Sequence, residues 1–493
     1  MPSILAIDQG TTGSTALVVQ QDGTVLGRGY REVPQHFPRP GWVEHDPEDL
    51  FRTALEAGRD AIAQAGEGPV GLGITNQRET IVLWDRRTLA PLGRAIVWQD
   101  RRTAGRCAEL RSQGLAEMLG ERTGLVPDPY FSATKLELLL SDRDVRRRAE
   151  RGELAAGTVD SWLVARLTGG AVHVTDHTNA SRTMLYDLAS RTWDPELLSL
   201  FEVSPLVLPR IVPSGGVVGM ARSEHFGFEL PIAGIAGDQQ AALFGQGCVQ
   251  AGSAKNTYGT GTFLLMHTGT RRARSPHGLL ATAACGPAGE PAYALEGSVF
   301  IAGAAVQWLR DGLGLVARAD ETEALARSVA DTGGVHFVPA FVGLGSPHWE
   351  AEARGTITGL TRGTTRAHLV RAALEAMAFS SAELVELMTE DAGLEAEALR
   401  VDGGASANGW LMQFLADVLG RPVERPDMIE TTALGAAGLA GITLGVWAGT
   451  GAFLEGRTFD RFEPATGGAE RTARRAGWQR AVHAALAWAR FEG

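Results

Sequence analysis

The sequence predicts an α/β protein of two duplicated halves, each a mixed sheet flanked by helices, with the working site in the cleft between them. Two observations carry this reading. First, the stretch LAIDQGTTGSTALVV, Leu5 to Val19, sets a glycine-and-hydroxyl turn between two apolar runs, and KNTYGTGTFLLMHTG, Lys255 to Gly269, does so again half a chain later. Second, short apolar runs such as VGLGIT and LRVDGG alternate with helical stretches such as DLFRTALEAGRDAIAQA and RAHLVRAALEAMAFSSAELVELM. The 493 residues fit three average domains or two large ones, and the repeat divides them as 1–247 and 248–493.

The first turn begins with Asp8 at the end of an apolar strand, and Gln9 to Ser14 form the tip of a hairpin. Glycines such as Gly13 let backbone N–H groups face a ligand, and the hydroxyls of Thr11, Thr12 and Ser14 add donors, a concavity suited to phosphate oxygens. Asp8 is placed to hold a magnesium ion there, directly or through water. Read alone, the segment is better taken as a polar β-turn capped by an Asp; its second copy shifts the balance to the phosphate reading. Competing phosphate motifs are absent. The two lysines, Lys135 and Lys255, lie outside any P-loop setting, and the G-x-G-x-x-G match at Gly66–Gly71 contains Pro69 and follows a helix rather than a strand.

Composition narrows the function classes. The formal net charge of −11 argues against nucleic acid, which needs a basic face. Cys107, Cys248 and Cys285 are scattered, odd in number and outside any CxxC pair, so they read as reduced thiols of a cytoplasmic protein. No secretion signal opens the chain. The uncharged segment Thr431 to Leu454 is long enough to cross a bilayer, yet its many glycines point to a buried, tightly packed helix ending near Gly445.

Many stretches together resemble the glycerol-phosphorylating branch of the FGGY carbohydrate kinases, which share the actin, hexokinase and heat-shock-ATPase fold. They include AIDQGTTGSTALV, GLGITNQRETIVLWD, AIVWQDRRT, PDPYFSATKL, IAGDQQAALFGQ, KNTYGTGTF and VDGGASANGWLMQFLADVLG, in order from about residue 4 to residue 450. The resemblance implies two ribonuclease-H-like (actin-like ATPase) domains that close on Mg-ATP and glycerol, and transfer of the γ-phosphoryl group to a terminal hydroxyl. It implies Asp238 as general base, with Asp8 and Asp238 beside the metal. Arg78, Glu79, Asp238 and Gln239 match the groups that hydrogen-bond glycerol, and Trp98, Tyr130 and Phe263 its aromatic wall. For the nucleotide it implies Thr11, Thr12, Gly13 and Ser14 in the first hairpin, Gly259, Thr260 and Gly261 in the second, and Gly303, Gln307, Gly404, Ala405 and Asn408 beyond them. Taken singly, Asp238 reads as a turn or helix-cap residue, Arg78–Glu79 as a surface ion pair, and Trp98 and Phe263 as core. A kinase for another polyol or sugar, and an actin- or chaperone-like ATPase with no small acceptor, stay open beside glycerol.

Three departures from the family pattern stand out. Gly13 replaces a serine and Thr15 an arginine, which removes a cation from the phosphate hairpin; Leu138 replaces a tryptophan; and SEHFGFELPIAG stands where some relatives have an allosteric loop. That last segment is similar to one whose histidine is phosphorylated by the phosphocarrier protein of the phosphotransfer system, which makes His225 a candidate regulatory site beside the reading of a plain surface-loop histidine. A homodimer or homotetramer is the assembly the family suggests.

Overall fold

The computed structural model of the chain describes residues 1–491. Two mixed sheets dominate it. The first has six strands in the spatial order Gly215–Ala221, Leu230–Gly237, Gly71–Asn76, Ser3–Gln9, Gly13–Gln20, Val25–Glu32. The second has seven, in the order Leu280–Cys285, Pro291–Val299, Thr262–Gly269, Ala254–Tyr258, Leu399–Gly403, Val423–Pro426, Phe459–Phe462. Both contain the expected hairpin, and in both its first strand runs parallel to a later one: Asp8 lies opposite Thr75 in the first sheet and Thr257 opposite Asp402 in the second. The tip of the first turn is shorter than the sequence suggests, because pairing continues to Gln9 and resumes at Gly13.

The helices form where caps and periodicity ask for them. Pro47–Ala65 starts on Asp46, whose side chain accepts from the Glu48 N–H, and stops at Gly66 in the left-handed conformation. It buries Leu50, Phe51, Ala54, Ala57 and Ala61 against the first sheet. Gly27 and Gly29 allow this approach, since a Cβ at either would stand 2.0 Å from a helix carbonyl. In the second half Arg366–Ala392 opens on a capping box from Thr365 and His368 and packs on the second sheet.

The uncharged segment forms the helix Thr431–Thr443, passes Gly445 in the left-handed conformation, and continues as Thr450–Leu454. Among the described residues no helix is long and apolar enough to cross a membrane. Thr431–Thr443 lies across the first sheet and the helix Asp238–Gly245 at the closest spacing a backbone allows. A Cβ on Gly435 would fall 1.8 Å from the Ala241 carbonyl oxygen, and one on Gly73 would fall 2.1 Å from that of Ala436. A helix of the second half thus packs on the first sheet, beneath the turn that carries Asp238.

Candidate active site

The strand Leu230–Gly237 runs beside Gly71–Asn76 in the first sheet, and Asp238 is the first residue of the helix that follows it. Its Oδ1 accepts from the Gln239 N–H at 2.7 Å and faces Arg78 Nε at 3.1 Å. Gly237 makes room for that arginine, because a Cβ there would lie 2.7 Å from Arg78 Cγ and Cδ.

Arg78 and Glu79 sit where the strand Gly71–Asn76 breaks and a four-stranded sheet of the first half begins. Thr80 N–H reaches back to the Arg78 carbonyl at 2.7 Å, and Glu79 between them has φ of 61°, a strained turn for a residue other than glycine. The turn points Glu79 into a cavity of about 340 Å³ that Thr11, Thr12, Trp98, Tyr130, Asp238, Gln239, Thr260, Gly261 and Phe263 also line. Three predicted aromatics from distant parts of the chain form one wall. Trp98 lies edge to face with Tyr130 at 5.6 Å and with Phe263 at 6.0 Å, and its Nε1–H donates to Thr11 Oγ1 at 2.8 Å. Thr11 spends a lone pair on that bond and keeps its O–H proton to donate to a ligand.

Beneath the pocket lies a cluster of buried charge absent from the sequence reading. Glu296, from the strand Pro291–Val299 of the second sheet, takes Arg78 Nη1 at 2.6 Å and Nη2 at 3.0 Å. Arg182 donates to the same carboxylate at 2.9 Å and to Glu79 Oε1 at 2.7 Å. Burial alone would raise Glu296; Arg182 and Arg78 overcome it and hold it down to about 2. Burial also works against the charge of Arg78, but Glu296, Glu79 and Asp238 keep it well above its ordinary value. For Glu79 burial prevails over both arginines and pushes it up. With Gln240 Oε1 at 3.2 Å and Tyr130 OH at 3.3 Å, all four N–H groups on the two terminal nitrogens of Arg78 have acceptors, while Nε stands in ion-pair contact with Asp238 without a hydrogen bond. Arg78 was expected to bind glycerol directly; it lines the cavity, and its Nε–H is the one donor not taken up by a hydrogen bond.

Lys255 is buried below Gln239, donating to its Oε1 at 2.5 Å and to Thr257 Oγ1 at 2.7 Å, and burial draws it down to about 8. With its oxygen so occupied, Gln239 turns its amide N–H groups toward the pocket.

A second cavity, of about 510 Å³, lies on the far side of the second hairpin and is lined by Gly259, Gly303, Gln307, Gly404, Ala405 and Asn408, together with Arg310, Thr322 and Leu374. All six expected residues meet there. The helix Gly303–Asp311 begins on the hairpin itself: the N–H groups of Ala302 and Ala304 donate to the Thr260 carbonyl, and that of Gly303 to Gly259. A Cβ on Gly303 would lie 2.5 Å from the Gly259 oxygen. Asn408 is less free than expected. Its Oδ1 caps the helix Gly409–Leu419 through Leu411 N–H, and its Nδ2 donates to Thr322 Oγ1 at 3.3 Å, which leaves one N–H for a base edge.

Four expected residues are placed differently. Ser14 is fully buried, with its hydroxyl on Thr53 Oγ1 at 2.9 Å, because strand alternation turns it toward the helix Pro47–Ala65 and away from the cleft. Gly13 carries the Tyr30 ring where a side chain would begin, 2.4 Å from an ideal Cβ, which explains the missing serine. His225 is buried, 8% exposed, edge-on to Phe51 at 5.5 Å, and its Nε2 has no partner; phosphorylation there requires the turn Ser223–Phe226 to open. Asp8, one residue before the end of its strand, is not among the residues that line the acceptor cavity. Burial, and then the Asp238 carboxylate, push it up to about 8. Two carboxylates that repel one another in this way fit a divalent cation completed by phosphate oxygens and water. Among the described residues no group of three or more acidic, histidine or cysteine side chains could cage a metal without such help.

The N-terminal domain of the FGGY family of carbohydrate kinases matches residues 3–245, and the C-terminal domain of that family matches residues 254–444. The chain is 56% identical to the glycerol kinase of Alkalilimnicola ehrlichii and 52% identical to glycerol kinase 2 of Thermotoga maritima, each over 99% of both chains. It superposes on the crystal structure of Plasmodium falciparum glycerol kinase with ADP with a TM-score of 0.91 at 35% identity, covering 99% of this chain and 98% of that one.

Proposed function

We propose that this chain, which belongs to the FGGY family of carbohydrate kinases, transfers the γ-phosphoryl group of ATP to a terminal hydroxyl of glycerol in the cytoplasm, giving sn-glycerol 3-phosphate. Residues 1–247 form the acceptor-binding domain and 248–493 the nucleotide-binding one, both of the actin-like ATPase fold. The observation that carries the reading is Asp238, held by Arg78 on the floor of a small polar pocket whose opposite side is the second hairpin.

With Oδ1 fixed by Arg78 Nε and the Gln239 N–H, Oδ2 of Asp238 is the oxygen left to accept the proton of the attacking hydroxyl. Glu79 and the amide of Gln239 hold the other hydroxyls, one accepting and one donating, while Trp98, Tyr130 and Phe263 cover the carbon chain and exclude water. A ligand lacking a hydroxyl leaves one of these buried groups unpaired, which is the basis of selectivity for the triol. Gly259, Thr260 and Gly261 line both cavities between them, so the second hairpin cradles the phosphates from one side and Thr11 and Thr12 of the first from the other. Magnesium belongs at Asp8 and Asp238, where it neutralises phosphate charge when bound. The adenine takes the cavity at Gly404, Ala405 and Asn408.

The test is ADP release from Mg-ATP with glycerol, xylulose, gluconate, dihydroxyacetone or no acceptor, for the native protein and Asp238→Asn. Stimulation by glycerol far above the other acceptors, lost in the variant, is expected. Acceptor-independent turnover, or a wide margin for another acceptor, refutes the reading.

A further inference from the structure

Glu296 does not line the acceptor cavity, yet the geometry beneath it turns on this side chain. It is wholly buried in a strand of the second sheet and grips Arg78 of the first half through both terminal nitrogens. A bidentate pair of this kind fixes the guanidinium plane as well as its position. With Nη1 and Nη2 drawn away, Nε is the edge that meets Asp238 Oδ1 at 3.1 Å. Arg182 locks the carboxylate from its other side and carries the same constraint on to Glu79. The two halves therefore meet in one hydrogen-bonded network immediately under the acceptor.

We propose that Glu296 is a positioning residue for phosphoryl transfer: by holding both terminal nitrogens of Arg78, it keeps the guanidinium in ion-pair contact with Asp238 Oδ1 through Nε and leaves Oδ2 of that carboxylate facing the acceptor hydroxyl. The orientation of a base supplied by the first domain is thereby set by a strand of the second. A uniformly packed ion pair would serve stability alone, whereas this one sits one guanidinium away from the reacting group. The inference rests on the assignment of Asp238 as base and glycerol as acceptor.

The experiment compares native protein, Glu296→Asp and Glu296→Gln by steady-state kinetics, each variant also being made in the Asp238→Asn background. Glu296→Asp keeps the charge that the buried arginines need but shortens the reach, so it preserves the fold if Glu296→Gln does not. For Glu296→Asp, kcat falls at least tenfold while the KM for ATP stays within twofold. Glu296→Gln lowers kcat further. In the Asp238→Asn background the same substitutions cost less than twofold, because they act through a carboxylate already disabled. Kinetic constants of Glu296→Asp within twofold of native overturn the proposal, and so does an equal loss in both backgrounds. Should native protein not respond to glycerol, the assignment of acceptor fails; should it respond, with Asp238→Asn inactive and Glu296→Asp unaffected, only the positioning role fails.

Discussion

The acceptor pocket and the nucleotide cavity share the second hairpin as a common wall but are made of different material. The first, about 340 Å³, is walled by Arg78, Glu79, Asp238 and Gln239, each tied to a buried partner beneath it. The second, about 510 Å³, offers backbone at Gly259, Gly303, Gly404 and Ala405, and its charged side chains, Arg310, Asp320 and Glu323, are exposed or half-buried instead of locked in a buried network. The size of the ligand explains the difference. A three-carbon triol offers few atoms, so its affinity and its discrimination have to come from a handful of strong polar contacts. A nucleotide offers a large surface, and close approach of backbone suffices.

If that contrast is right, removing charge from the first site is far more costly than adding volume to the second. Asp238→Asn is the extreme case: shape is kept, the proton acceptor is lost, and kcat falls roughly 10³-fold. Glycerol binding, followed by calorimetry, is expected to persist. A loss of binding as large as the loss of kcat would assign Asp238 to recognition instead.

The buried charges also expose the acceptor side to acid. Glu296 titrates at about 2 in the folded protein against an ordinary 4.5, so its contribution to stability is complete above 4.5 and is lost as pH falls toward 2. The contribution is on the order of 3 kcal/mol. The difference in denaturation midpoint between native protein and Glu296→Gln should therefore shrink steadily from pH 5 to pH 3; a difference independent of pH would mean that shape, not charge, is what the carboxylate supplies.

Glu79→Gln tests the rim of the pocket. It leaves Arg182 facing an amide and removes an acceptor from the cavity, so the KM for glycerol is expected to rise by roughly tenfold or more, about 1.5 kcal/mol. An unchanged KM would place glycerol on the Asp238 side alone. Gly404→Val is the counterpart across the hairpin. An ideal Cβ on Gly404 meets nothing within 4 Å, so the free protein should tolerate it, while the side chain occupies space meant for the base. The KM for ATP should rise by about tenfold with that for glycerol unchanged. A parallel rise in both would show that the two sites are less separable than their construction suggests.

The same contrast explains what could be read from the sequence. The two hairpins, the strands VGLGIT and LRVDGG and the nucleotide-side glycines were legible because turn chemistry and periodicity are local. Glu296 and Arg182 were not, since nothing local marks their pairing and the partners of Glu296 lie 218 and 114 positions away. One signal was available: a lone acid in an apolar strand must find a buried cation, and RET in the first half offered one. Ser14 was a different miss. Period-two alternation puts Ser14 and Thr15 on opposite faces of the strand, so both could not face the phosphates. The packing of Thr431–Thr443 on the first sheet was visible only as small residues, with nothing local to say which sheet they met.

Thr15→Arg is expected to have the smallest effect, and it decides how the first hairpin manages without the usual cation. Thr15 pairs across the strand with Asp8, whose carboxyl stands at about 8 because burial and Asp238 oppose its charge and no cation answers them. A guanidinium opposite Asp8 has two uses. Directed at the phosphates, it lowers the KM for ATP two- to fivefold, worth about 0.5–1 kcal/mol for a partly exposed charge. Directed at Asp8, it competes with magnesium for the carboxylate, and the magnesium concentration giving half-maximal rate rises instead. A titration of both ATP and magnesium separates these cases, and the second would mean that the threonine is the residue that keeps Asp8 available to the metal.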